Sequence, residues 1–151
     1  MNKILLWVKN LIIPLALGGI VGFIISGFID YDTLIQPPLA PPSIAFPIVW
    51  SILYLLMGIS YSILDVNSLV CNRVNRSYYI QLIVNLLWSI IFFVLKWRFV
   101  SILWILLLIS LVINMIVIFY NKNKLSGLLQ IPYLIWIIFA TYLNIGIYLL
   151  N

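Results

Sequence analysis

Asn85, Trp88 and Phe92 stand at i, i+3 and i+7, so an amide and two flat rings share one face of a helix. Trp50 and Tyr54 lie four apart and share another. Trp136, Ala140 and Leu143 lie at i, i+4 and i+7 on a third. Surfaces of this kind stack against a broad π system, and one amide held away from water would orient it. The same spacing equally serves a structural aromatic core. Other chemistry finds little support. The chain has no histidine, which removes the commonest general base and metal ligand. Asp30, Asp32 and Asp65 flank apolar runs instead of sitting inside them. Cys71 is the sole cysteine, so no intramolecular disulfide can form, and it reads as a bystander.

The elements that carry these residues follow from composition. Of 151 residues, 66% are hydrophobic and only 7% charged, against about 25% charged in a soluble domain. Such a chain belongs in a bilayer, as an integral multi-pass membrane protein. About 20 apolar residues cross the hydrocarbon, and five segments qualify: about 10–29, 44–64, 78–95, 99–120 and 127–149. Backbone polar groups in lipid must bond within the segment, and no period of two is present, so all five read as helices. Lys3 and Lys9 ahead of the first run imitate a signal peptide. The run is too long for that and no small-residue cleavage site follows, so it reads as a retained span.

The net charge of +5 is a topology signal here, not a nucleic-acid footprint. Lys3, Lys9, Arg73, Arg76, Lys122 and Lys124 fall on one side of the five spans, and Lys96 and Arg98 on the other. That asymmetry predicts an N-terminus inside and a C-terminus outside. Trp7 and Trp97, beside charges near span ends, read as interface residues. Gly18 and Gly22, extended by Ser26, make a small-residue stripe that admits a close neighbour, either within the bundle or from a second copy.

The outer loop is unusual. "QPPLAPPS" places Pro37, Pro38, Pro41 and Pro42 within six residues. Each fixes φ, removes a donor and pushes its predecessor toward extended geometry. The reading is a stiff, extended strap over residues 36–42 with little entropy left to lose. Ser43 is the expected N-cap of the second helix, and Pro47 fits its first turn. One or two prolines would suffice for a helix start; four predict a lid.

The stretches "QPPLAPPSIAFPIVWSILYLLMGISY", "NLLWSIIFF" and "IPYLIWIIFATYLN" closely resemble the translocator protein, or tryptophan-rich sensory protein, family, over nearly the whole chain. The resemblance implies an all-α membrane protein, a bundle of five transmembrane helices whose proline-rich loop closes a pocket for flat hydrophobic ligands. Porphyrins such as protoporphyrin IX and benzodiazepine-like compounds are the ligands it implies, with no cofactor required. The implied ligand-binding residues are Tyr31, Pro41, Pro42, Phe46, Trp50, Tyr54, Asn85, Trp88, Phe92, Trp136, Phe139, Ala140 and Leu143. In the loop, Tyr31, Leu34, Pro37, Pro41 and Pro42 match the family pattern. Asp30 stands where the family has Trp and Gln36 where it has Lys. Trp104 replaces a frequent acidic residue, and no basic residue follows Tyr148 to complete the animal cholesterol motif, so no sterol ligand is expected. The absence of histidine favours a metal-free porphyrin over haem. A bacterial member would lie in the cell membrane as a homodimer. A porphyrin receptor or sensor is the first reading. Light-dependent porphyrin breakdown, led by Trp50 and Trp136, and porphyrin transport are the alternatives; transport is disfavoured by the lack of an internal repeat.

Overall fold

A computed structural model describes residues 2–151. Helices α1 (Lys3–Ile25), α2 (Ala45–Val66), α3 (Asn72–Ser89), α4 (Arg98–Lys122), α5 (Lys124–Leu128) and α6 (Ile131–Leu150) make five apolar rods, each long enough to cross a bilayer. The fifth rod is α5 and α6 together, interrupted at Leu129–Gln130 ahead of Pro132, which has no N–H to continue the ladder. No strand occurs among the described residues.

The helix ends differ from the sequence expectation in three informative places. The first helix begins at Lys3, not near residue 10, because the Asn2 side chain accepts a hydrogen bond from the Ile4 N–H and caps it. The third begins at Asn72, not 78. The polar run "NRVNRS" is helical because Val74 and Tyr78, four apart, are buried while Arg73 and Arg76 point outward. Ser43 is also not a cap: Ile44 holds the N-cap position of α2 without a side-chain bond, and the Ser43 hydroxyl instead donates to Asp32 at 3.0 Å.

α1 packs chiefly on α2, α3 on α4, and α4 on α6. Two glycines set the α1–α2 approach. A Cβ on Gly58 would lie 2.7 Å from the Asn10 carbonyl oxygen, and one on Gly18 would lie 2.3 Å from the Tyr54 ring. The small-residue stripe of α1 therefore divides: Gly18 packs inward, whereas Gly19 and Gly22 face open space. Charge divides as well. Because successive rods reverse direction, the six basic residues at 3, 9, 73, 76, 122 and 124 gather with Asp65 at one end, the basic end. Asp30, Asp32, Lys96 and Arg98 lie at the other. Lys9 reaches Asp65 at 3.7 Å and the Asn10 amide donates to the same carboxylate at 2.8 Å.

The α3–α4 junction is tight. Residues Ile90–Val94 form a π-helical turn, Leu95 N–H bonding to Ile90 and Trp97 N–H to Ile91, and Lys96 takes φ 56°. The widened turn changes the phase of the helix and aims Phe92 inward.

Candidate functional site

The rings converge near the end opposite the basic one. Tyr31, Phe46, Trp88, Phe92, Ala140 and Leu143 line one cavity, joined by Phe93, Asn144 and Ile147. Trp88 stacks on Phe92 with centroids 5.2 Å apart, and Tyr31 meets Phe46 edge-on at 4.9 Å. Trp136 extends the group through Phe46 at 5.8 Å and carries Phe139 on its outer side at 5.6 Å. Trp50 stacks on Tyr54 at 5.7 Å and meets Tyr133 edge-on at 6.2 Å, next to the cavity and not in its wall.

Beneath the rings runs a buried polar chain. Tyr54 donates to the Asn85 carbonyl oxygen at 3.2 Å, the Asn85 amide donates to the Tyr133 hydroxyl at 2.6 Å, and Tyr133 donates to Gln81 at 2.8 Å. Asn85 thus has both ends satisfied, as an amide inside a span must. Asn144 accepts from the Trp88 indole N–H at 3.1 Å and donates to the Arg98 carbonyl at 3.2 Å, tying α3, α6 and the start of α4 together. Sequence reasoning singled out Asn85 but missed Gln81, one turn before it on the same face, and Asn144, both polar residues inside spans.

The proline strap lies at the same end of the bundle as the cavity and contributes none of its wall residues. It is not uniformly extended: Ala40 N–H bonds to Pro37 at 3.3 Å, and Leu39 sits at the third position of that β-turn with φ 67°. Pro38 fixes φ at the second position, and the left-handed third position is one where glycine is usual. Tyr31 donates to the Pro41 carbonyl at 2.8 Å, and the Gln36 amide donates to the Tyr31 carbonyl at 2.9 Å. Burial, with Asp32 nearby, raises the Tyr31 phenol above its ordinary range, so it stays a proton donor. Pro42 is exposed and serves the α2 start through its carbonyl, which accepts from Ala45 N–H.

Long-range contacts seat the strap. The Pro37 ring lies in a notch over Gly146, where an added Cβ would come within 2.6 Å of the Pro37 Cβ and Cγ. The Asn151 side chain bonds both the N–H and the carbonyl of Ile35, at 3.0 and 2.9 Å. Tyr142 donates to the Pro38 carbonyl at 2.6 Å. At the other edge Asp30 receives the Arg98 Nη2 at 2.9 and 2.8 Å, with Lys96 at 3.4 Å. Burial acts to raise the Asp30 carboxyl, but Arg98 and then Lys96 outweigh it and hold the group below its ordinary value. The Arg98 guanidinium also lies 4.2 Å over the Phe92 ring.

The enclosed space is about 20 Å³, room for about one water. Drug-sized ligands occupy pockets of about 300–1,000 Å³. The rings fill most of the site themselves, so a large flat molecule would fit only if its walls moved apart.

Residues 10–150 match the family described as TspO/MBR. The chain belongs to that family. A "Tryptophan-rich protein TspO" of Archaeoglobus fulgidus is 38% identical over 99% of both chains. A "Protein CrtK" of Rhodobacter capsulatus is 37% identical, covering 90% of this chain and 87% of the relative. A "Tryptophan-rich sensory protein" of Cereibacter sphaeroides is 33% identical over 80% and 76%. The TspO/MBR match embraces all three ring-bearing helices and the strap, so each part of the site lies inside the family region. Among the described residues, no cluster of three potential metal ligands exists.

Proposed function

We propose that this TspO/MBR protein is a membrane receptor for porphyrins and similar flat hydrophobic molecules, held among Trp50, Trp88 and Trp136 beneath the strap. The observation that carries the reading is the meeting of rings from the first loop, α2 and the end of α3 on one small cavity completed by α6, with a separately seated strap at the same end of the bundle. A site packed with its own rings and flanked by a detachable strap suits a flat ligand that intercalates. Two buried donors near the rings lack an acceptor, the Arg98 Nη1 and the Trp136 indole N–H. A porphyrin brings propionate carboxylates that would supply one. Benzodiazepine-like compounds would use the same stacking without the charge. The exposed face of α1, with Gly19 and Gly22 open, supports a second copy as partner.

The test is tryptophan fluorescence quenching by protoporphyrin IX. Trp50→Ala and Trp136→Ala will each weaken binding about three- to tenfold or more, one aromatic pairing being worth roughly 0.5–1.5 kcal/mol beyond area burial. Trp7→Ala, on the far end of α1, will leave it unchanged. Equal losses at all three would trace the effect to folding and not to stacking.

A second reading, light-dependent porphyrin breakdown, draws on the Trp50–Tyr54 stack and the Trp50–Tyr133 edge contact, which set oxidisable rings beside the site. Under that reading porphyrin absorbance falls under light in proportion to protein, with a new product; under the receptor reading it does not.

We further place the basic end inside the bacterial cell and the strap outside. Cys71 is exposed at the start of α3, and the Val74 and Arg73 backbone N–H groups lower its thiol below the ordinary value. An impermeant thiol reagent will therefore label it in inverted vesicles and spare it in intact cells. Labelling from outside would invert the topology.

A further inference from the structure

At the basic end, α3 and α4 leave an open groove of about 450 Å³ between them. Its α3 wall is Asn72, Arg73, Arg76, Ser77 and Ile80, which share one helical face; its α4 wall is Leu111, Asn114 and Ile118. We propose that this groove binds one anionic diacyl phospholipid, its phosphate between Arg73 and Arg76 and an ester carbonyl on Asn114.

Three observations converge on that chemistry. Arg73 and Arg76 form no salt bridge among the described residues, whereas Asp30 is shared by Lys96 and Arg98 and Asp65 is taken by Lys9. Two free guanidinium groups one helical turn apart match a phosphodiester. Next, Asn114 stands eight residues before the end of α4, about 12 Å along the helix. It is exposed on the outer surface of a membrane rod, and its side chain makes no hydrogen bond among the described residues. An unpaired amide facing hydrocarbon is costly. A glycerolipid ester carbonyl, lying below its phosphate, is the acceptor a bilayer offers near that depth. Finally, Ile80, level with Asn114, and Leu111, about one turn deeper, continue the groove as an apolar track for an acyl chain. A free phosphate would use the arginines but neither Asn114 nor the track.

The site lies at the opposite end from the strap, so its test is independent of porphyrin binding. The full-length protein in neutral detergent would be titrated with phosphatidylglycerol or phosphatidylcholine, and retained lipid counted by native mass spectrometry. One phosphatidylglycerol per chain is expected, retained at least tenfold better than phosphatidylcholine. Arg73→Gln with Arg76→Gln should lower that affinity about tenfold or more, since each basic residue at a membrane surface adds several-fold. Lys3→Gln with Lys124→Gln removes the same charge from the same end and should change it little. Asn114→Leu should abolish the preference for ester- over ether-linked phosphatidylglycerol while sparing the preference for charge. Equal loss in the arginine and lysine pairs would overturn the site in favour of general electrostatics. Displacement by millimolar inorganic phosphate would overturn it in favour of a small-anion site. Circular dichroism of each variant separates misfolding, and an arginine pair that keeps its helix content and its lipid preference refutes the proposal outright.

Discussion

Gly146→Val will release bound protoporphyrin IX at least tenfold faster than the wild-type chain, with helix content unchanged. Pro37 occupies the space above Gly146, and even a single added carbon would sit 2.6 Å from its ring. Proline cannot swing a rotamer aside, so the strap itself must shift. Shifting it strains the two Asn151 bonds to Ile35 and the Tyr142 bond to Pro38, which fix the strap on either side of Pro37. Each such bond contributes a net of about 0.5–1.5 kcal/mol. Loss of all three weakens closure by about 1.5–4.5 kcal/mol, and 1.4 kcal/mol is tenfold. The change is read on release, because a poorly seated strap opens more often; entry through the same opening quickens as well. Stopped-flow release into excess detergent measures it. Gly27→Val is the matching control, since Gly27 faces open space beyond the end of α1 and outside the strap.

The second large effect concerns the opposite edge of the strap. Arg98→Leu removes the guanidinium whose Nη2 donates to both oxygens of Asp30, and the cation over Phe92. Charge-assisted hydrogen bonds are worth about 1.5–3 kcal/mol, and the cation–π contact about 0.5–2 kcal/mol. The Asp30 and Arg98 side chains are only 21% and 15% exposed, so screening reduces these values less than at an open surface. Thermal stability in detergent will fall and porphyrin release will quicken. Asp30→Asn will have the smaller effect on binding, because it loosens the clamp but leaves Arg98 to meet a ligand carboxylate. The double variant will recover part of the stability lost in Arg98→Leu, since no unpaired carboxylate remains. The same clamp sets a pH dependence. Its carboxyl is held below the ordinary value, so its contribution is complete above about pH 4 and disappears as pH falls through the lowered value. Release should be flat from about pH 8 to 5 and quicken only below about pH 4. A rise between pH 5 and 7 would assign the control of opening to another group.

Much of this architecture is legible in the residues. Bilayer thickness turns apolar length directly into spans, which is why five rods emerge from composition alone. Helical spacing grouped Trp88 with Phe92 and Ala140 with Leu143, and these do share a wall. Polarity misled at α3, where "NRVNRS" resembles a loop yet folds as helix because Val74 and Tyr78 anchor its inner face. The seating of the strap was not legible. It depends on one glycine in an apolar helix and on a terminal Asn151, more than a hundred residues from their partners, and no local pattern encodes that meeting. The π turn at Ile90–Val94 was equally hidden, since its cause is the tight α3–α4 junction and not a residue type.

The central claim is that the strap must lift for a porphyrin to enter, and a reversible lock tests it directly. Pro37→Cys with Gly146→Cys, in a Cys71→Ser background, places two thiols at the seat. The Cβ separation there relaxes outward from 2.6 Å to the roughly 3.5–4.5 Å that a disulfide requires. Protoporphyrin IX is titrated against the fluorescence of the six tryptophans, first with the pair oxidised and then after reduction. The account predicts no saturable quenching in the locked protein and its return on adding a reductant. Equal quenching in both states would contradict it and put the ligand somewhere other than beneath the strap.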